Sequence, residues 1–299
     1  MSIRPPLLKK GDQVAIAAPS RVIDKRQMKA AYTVFDSWGL KVTDGDHLYD
    51  KDGYFAGSDF HRLEDLQTFL DDPATRAIFC ARGGYGLTRI IDQLDLKQFQ
   101  DHPKWIVGFS DITALHLKLN QSAVESIHGL MPVQFGNDNV AQSIESLRKL
   151  LFDGNAQIEI PGYGLNRNGQ AQGELVGGNL SLLVESLGTP TEIKTDNKIL
   201  VLEEIDEYLY KIDRMMQQLK RAGKLKNLAG LIIGDFSQMK DTQIAFGKNV
   251  DLLLYEHIKD YNFPVAYNFP IGHENYNLAI PLGRKANLSV DSDNCFLKF

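Results

Sequence analysis

The stretch Trp105-Ile106-Val107-Gly108-Phe109-Ser110-Asp111 decides the reading of the fold. Its short apolar run reads as a buried strand, and the run breaks at Ser110-Asp111. Leu115 and Leu119 follow at i, i+4, which predicts a helix. The same order recurs upstream. Val14-Ala-Ile-Ala-Ala18 stops at Pro19-Ser20, and Met28, Tyr32 and Phe35 then share one helical face. Ala77-Ile-Phe-Cys80 runs into Arg82-Gly-Gly-Tyr-Gly86, and Leu87, Ile90, Ile91 and Leu94 repeat at helical spacing. Three strand–turn–helix units predict an α/β fold around a mostly parallel sheet. In such sheets ligands and catalytic groups gather beyond the C-terminal ends of the strands.

Further along, Val140, Ile144, Leu147 and Leu151 predict another helix. Residues 161–173, rich in Gly and Asn, read as a linker. The chain therefore divides into an N-terminal α/β domain (1–160), the linker (161–173) and a C-terminal mixed α+β domain (174–299). In the second part a helix is expected over Leu180, Leu183, Val184 and Leu187. Ile199-Leu-Val-Leu202 reads as a strand ending at Glu203-Glu204. Asp206 and Glu207 suit the positive end of the next helix, whose stripe is Leu209, Ile212, Met216 and Leu219. Leu231-Ile-Ile-Gly234 is a further strand, and the tail from Pro264 reads as strands joined by irregular loops.

The composition fits two folded domains. The chain has 299 residues, 43% of them hydrophobic and 24% charged, with a net charge of −5. Wholesale disorder is excluded, and the mildly acidic balance argues against a nucleic-acid partner. At this length two cores form without covalent staples. Cys80 and Cys295 are the only cysteines, so neither a disulfide framework nor a zinc-type cysteine pattern is present. They read as buried thiols of a reducing compartment. The apolar run after Arg4, Lys9 and Lys10 is too short for a signal-peptide core, and no run approaches a membrane span. The expectation is a cytoplasmic protein without a membrane partner.

Ser110 is the candidate nucleophile. It stands where a strand turns into a helix, and the N–H of Asp111 at that helix start suits an oxyanion. Gly108-Phe-Ser-Asp-Ile112 has the first glycine of a GxSxG elbow but not the second. An ordinary helix-capping serine fits the same string. Arg82-Gly-Gly-Tyr-Gly86 is neither a Walker loop nor GxGxxG, so a nucleotide cofactor has no support. It reads as a tight turn or as a backbone donor site for an anion.

A serine needs a base and an orienting carboxylate. Of seven histidines, His116 reads as structural, and His47, His61, His102 and His257 carry no signal. His128 and His273 both lie in loops between apolar segments, and local sequence does not separate them. Glu203 and Glu204 directly follow a buried strand, and either suits the carboxylate. No ligand spacing around them points to a metal.

Taken together, six strings resemble the LD-carboxypeptidases, the serine peptidase family of muramoyltetrapeptide carboxypeptidases. They are Gly11-Asp12 before Val14–Ser20, Arg82–Gly86, Gly108–Asp111, Gly177-Gly-Asn-Leu180, Leu202–Glu207 with Ile212-Asp-Arg214, and Gly272-His273 with Pro281-Leu-Gly283. The resemblance implies a triad of Ser110, Glu203 and His273, with the N–H groups of Asp111 and Gly84 as oxyanion donors. It prefers Glu203 to Glu204 and His273 to His128. Arg82 and Asn179 become candidate substrate contacts. The implied fold places the active site where the two domains meet, the implied partner is a second copy in a homodimer, and no cofactor or metal is implied. The expected activity is removal of the terminal D-alanine from a cytoplasmic murein tetrapeptide in peptidoglycan recycling. The alternatives are self-immunity peptidases of the same family, which cleave aminoacyl-nucleotide antibiotics, and a non-catalytic murein-peptide binder. The loop Glu274–Ala279 departs from the family's Thr- or Pro-containing stretch.

Overall fold

The computed structural model describes residues 2–299. In chain order, the first elements are β1 (Gln13–Ala17), α1 (Lys29–Ser37), β2 (Lys41–Asp44), α2 (Asp59–Asp71), β3 (Thr75–Cys80), α3 (Lys97–Asp101), β4 (Trp105–Gly108), α4 (Thr113–Gln121), β5 (Ser126–His128) and α5 (Ala141–Phe152). There follow β6 (Gln157–Pro161), β7 (Gly169–Asn179), α6 (Leu180–Glu185), β8 (Ile199–Ile205), α7 (Leu209–Arg221), β9 (Gly230–Ser237), α8 (Val250–Ile258), β10 (Val265–Ala266), β11 (Ile280–Leu282), β12 (Lys285–Val290) and β13 (Asn294–Lys298).

The chain forms two compact units. The first holds the residues up to Asn155 together with Asn275–Gly283, and the second holds Ala156–Glu274 and Arg284–Phe299. The first unit carries a six-stranded sheet in the order β11-β5-β4-β3-β1-β2. Strands β1 to β5 run parallel, and β11 closes one edge antiparallel to β5. All four residues of β4 are buried, as are Val14–Ala17 of β1 and Ala77–Cys80 of β3. A parallel sheet covered on both faces demands such unbroken apolar runs, which is why these segments lack polar alternation. Each large side chain fully removed from water contributes about 1.5–3 kcal/mol.

Two local readings change. The stretch from Leu87 to Leu94 forms two 3₁₀ turns, Leu87–Arg89 and Ile91–Gln93, where an α-helix was expected. Leu87 and Ile90, like Ile91 and Leu94, are three residues apart, and three residues is also the 3₁₀ period. All four are buried, so the apolar pattern is met without an α-helix. Before α1, the face begun by Met28 likewise starts in a 3₁₀ turn, Lys25–Met28, capped by Asp24.

The second unit carries a seven-stranded sheet in the order β10-β9-β8-β7-β12-β13-β6. Strands β7 to β10 are parallel, and β12, β13 and β6 continue antiparallel from β7. The 161–173 stretch read as a linker lies inside this unit. Pro161 ends β6, and residues from Gly169 onward belong to β7, paired with β12. Its polar residues alternate with half-buried ones, the pattern of a strand with one wet face rather than of a loop. The boundary also shifts because residues 275–283 return to the first unit, where Ile280 pairs with His128. The helix α7 buries Leu209, Ile212, Met216 and Leu219, the expected stripe. Glu207 accepts the Tyr208 N–H just before α7 (2.8 Å), whereas Asp206 sits in a left-handed turn paired with Lys240.

Candidate active site

In the first unit, Ser110 follows β4 and opens a 3₁₀ turn, Ser110–Ile112, that leads into α4. Its φ is 62°, in the left-handed region that a side chain rarely adopts. Such a conformation costs about 1–3 kcal/mol and persists only when its surroundings hold it. Two hydrogen bonds hold this turn. The Asp111 carboxylate, buried beneath it, accepts from Ser20 Oγ (2.6 Å) and from the Leu87 N–H (3.0 Å). That ties the ends of β1 and β3 to the end of β4. Burial pushes the Asp111 carboxyl above its ordinary pKa, while those two donors pull it back. The buried Arg62 guanidinium donates to the carbonyls of Pro19 (2.6 Å) and Gly86 (2.8 Å), bracing the same strand ends.

The glycine turn after β3 packs on Ser110. A Cβ on Gly83 would stand 3.0 Å from the Ser110 Cβ and 3.3 Å from its Oγ, so the close approach requires glycine. Gly83 is buried, while Gly84, the glycine proposed from sequence as an oxyanion donor, is exposed and lies against Arg21 and Tyr54. Arg82 is half-buried, and its guanidinium makes no hydrogen bond or ion pair among the described residues. Burial, with Arg21 nearby, pushes its pKa below the usual arginine value.

The histidines of this unit separate clearly. His116 Nε2 faces the Gly108 carbonyl at 2.9 Å, and its Nδ1 faces Ser126 Oγ at 2.8 Å. A carbonyl only accepts, so Nε2 carries the proton and Nδ1 accepts from the serine. Burial drives the His116 pKa down to about 4, which fits a neutral structural ring. His128 is fully buried at the end of β5, its ring 5.4 Å from that of Phe109.

In the second unit, β8 does not stop at Leu202 but runs on through Glu203 and Glu204 to Ile205. Both carboxylates are buried, and the register against β9 slips between Leu202 and Glu204. Successive residues of a strand point to opposite faces, so the two carboxylates meet different surroundings. Glu204 is saturated. Its Oε1 accepts from Asn179 Nδ2 (2.8 Å) and the Ile205 N–H (3.0 Å), and its Oε2 from the Ser181 N–H (2.9 Å) and Oγ (2.6 Å). Asn179 also caps α6 through Oδ1, which gives it a scaffolding task within this unit.

Glu203 instead meets His273, with Oε2 2.7 Å from Nδ1. Burial pushes the Glu203 carboxyl up, and His273 offsets part of that rise. For His273, burial disfavours the imidazolium. The charge and hydrogen bond of Glu203 outweigh it, with Glu204 and Asp235 adding, and the pKa is raised. Gly272 has φ 145°, and a Cβ there would stand 2.9 Å from the Asp235 Cβ and 3.3 Å from the Glu203 Cβ. Only glycine lets the chain bring His273 this close to β8 and β9.

Sequence reasoning missed Asp235. It follows Leu231–Gly234 in β9, accepts the Glu274 N–H at 3.3 Å, and is raised to about 7, chiefly by burial. A carboxylate directly after a buried apolar run was the signal that singled out Glu203, and it was present at Asp235 as well.

Comparison with known proteins also divides the chain in two. Residues 14–129 match the LD-carboxypeptidase N-terminal domain and residues 172–288 the LD-carboxypeptidase C-terminal domain. The probable murein peptide carboxypeptidase of Bacillus subtilis (strain 168) is 36% identical over 295 residues, covering 97% of this chain and 92% of that protein. The crystal structure of muramoyltetrapeptide carboxypeptidase from Oxalobacter formigenes is similar with a TM-score of 0.87 at 26% identity, covering 96% of this chain and 98% of that one. The microcin C7 self immunity protein MccF shares the fold, with a TM-score of 0.88 at 20% identity over 99% of this chain and 98% of that one. With both domain models matched in order along its length, the chain belongs to the LD-carboxypeptidase family.

Proposed function

We propose that the chain is a serine-type LD-carboxypeptidase that removes the terminal D-alanine from a murein tetrapeptide, acting in the cytoplasm in peptidoglycan recycling and as a homodimer. The observation that carries the reading is the 2.7 Å bond between His273 Nδ1 and the buried Glu203. With Nδ1 held by a carboxylate, Nε2 is the nitrogen left to act as a base. The strained backbone of Ser110 supports the choice of nucleophile, because such strain collects at functional turns. The relatives' names, murein peptide carboxypeptidase and muramoyltetrapeptide carboxypeptidase, support the substrate class.

In the proposed mechanism Ser110 Oγ attacks the carbonyl of the L,D amide while His273 Nε2 takes its proton. The N–H groups of Asp111 and Gly84 receive the oxyanion, and a donor of this kind is worth about 2.7–4 kcal/mol. The imidazolium, steadied by Glu203, then protonates the leaving amine of D-alanine. Water attacks the acyl-enzyme by the reverse route and frees Ser110. Arg82, half-buried and without a partner among the described residues, suits the free carboxylate that a carboxypeptidase must recognise. Asn179 contributes through Glu204, in supporting the strand that carries Glu203.

The test is mass spectrometry of a murein tetrapeptide incubated with the protein. Wild type is expected to release D-alanine, and Ser110→Ala to lose about 10⁴-fold in turnover while keeping its circular dichroism. Near-wild-type turnover in that variant rejects the nucleophile. A parallel incubation with an aminoacyl-nucleotide checks the self-immunity activity, and an absence of turnover on both substrates favours a binding protein.

A further inference from the structure

His47, Asp50 and His61 lie together in the first unit, although the sequence reading found no signal in either histidine. Their ligating atoms all fall within 4.8 Å of one another. The Nδ1 atoms of both rings converge on one atom, Asp50 Oδ2, each at 2.8 Å. The two imidazoles stack with centroids 3.9 Å apart and planes 11° from parallel.

We propose that His47, Asp50 and His61 bind a divalent transition-metal ion of the zinc type, outside the residues assigned to peptide hydrolysis. The donors are two imidazoles and one carboxylate, a set that suits zinc and its neighbours. Ligands at about 2.0–2.1 Å from a tetrahedral ion stand about 3.3 Å from each other. The present 2.8 Å separations need to open by a few tenths of an ångström, and one ring must turn out of the stack so that both Nδ1 lone pairs, which lie in their ring planes, point at the ion. Three protein ligands leave a fourth position for water or a small anion.

The supporting contacts also suit a metal site. Glu64 Oε2 lies 3.2 Å from His47 Nε2, the outer nitrogen, where a carboxylate orients a ligating ring. The His47 backbone N–H donates to both oxygens of Asp65 in α2 (3.2 and 3.1 Å). The N–H of His61, in the first turn of α2, is held by the capping Ser58 Oγ at 3.2 Å. The donors thus sit on two segments already tied to each other, the turn after β2 and the start of α2. All three side chains remain partly open to solvent, with exposures of 25% for His47, 41% for Asp50 and 39% for His61, so an ion has a path in. An ion here would fasten the turn to the helix.

The experiment is a titration of the chelator-stripped full-length protein with zinc chloride against a competing chromophoric chelator. Wild type is expected to take up one equivalent, with an X-ray absorption spectrum showing two imidazole ligands. His47→Gln and His61→Gln should each weaken binding tenfold or more, and Glu64→Gln by about tenfold. Zinc should also raise the melting temperature of wild type and leave that of His61→Gln unchanged. The proposal is overturned if wild type binds no zinc, if both histidine variants bind as tightly as wild type, or if the spectrum lacks imidazole.

Discussion

The α-carbon of Gly83 faces the side chain of Ser110 so closely that a methyl group there would lie 3.0 Å from its Cβ and 3.3 Å from its Oγ. Gly83→Ala must therefore displace Ser110 by a few tenths of an ångström. Small misplacements of a reacting group are costly, up to about 100-fold for 1 Å. Steady-state kinetics should show kcat lowered about tenfold, with a thermal melt close to wild type. An unchanged kcat would mean that the seat of Ser110 tolerates movement.

The two loop histidines should behave differently on truncation. His273→Ala removes the proposed base and should abolish most turnover. His128 is fully buried against Phe109, so His128→Ala should chiefly lower the melting temperature. Comparing kcat of the folded variants decides, and a larger catalytic loss for His128→Ala would reassign the base.

Asp235 predicts a shift in the pH–rate profile. Its negative charge helps to raise the pKa of His273. Asp235→Asn removes that charge, destabilises the imidazolium and lowers the pKa. A general base works when neutral, so the acid limb of kcat/KM should move to lower pH in the variant. A limb that stays in place, or moves upward, contradicts this coupling.

Glu204 predicts a change in stability. Glu204→Ala removes the carboxylate that accepts from Asn179 Nδ2 and from the Ser181 N–H and Oγ, and hydrogen bonds to a charged group are worth about 1.5–3 kcal/mol. Urea denaturation should show a loss of that order, larger than for an exposed glutamate such as Glu256. A loss below roughly 0.5 kcal/mol would mean that water replaces the lost bonds.

His116 gives a pH dependence of folding. Its folded pKa, about 4, lies below the ordinary 6.5, so protons favour the unfolded chain. The stabilisation is complete above about pH 6.5 and is lost as the pH falls toward 4, amounting to about 3 kcal/mol. In His116→Asn the stability–pH curve should flatten in that window. An equal slope in both proteins would assign the acid sensitivity elsewhere.

Local sequence was enough wherever one segment carried both the element and its interruption. Apolar runs for buried parallel strands, broken at Pro19-Ser20, at Arg82-Gly83-Gly84 and at Ser110-Asp111, are properties of neighbouring residues. So is the α7 stripe. These placed Ser110 and the glycine turn at strand ends before any contact was known. The 3₁₀ turns after Gly86 were misread because a spacing of three residues serves both helix types.

What only the tertiary structure decided depends on partners far apart in the chain. Glu203 and Glu204 are chemically identical neighbours, yet Glu203 meets His273 while Glu204 accepts from Asn179 and Ser181, because successive residues of a strand face opposite ways and only the fold sets what lies on each face. The return of residues 275–283 to the first sheet rests on Ile280 pairing with His128, a hydrogen-bond register that no local pattern encodes. His47 and His61 reach one carboxylate oxygen because α2 folds back along the turn after β2. The sequence by itself determined which residue types stand at the ends of buried strands, since burial and turn formation are short-range. Which of those residues meet was decided by register and chain return, because hydrogen bonds and ion pairs form between atoms close in space, at whatever distance along the chain.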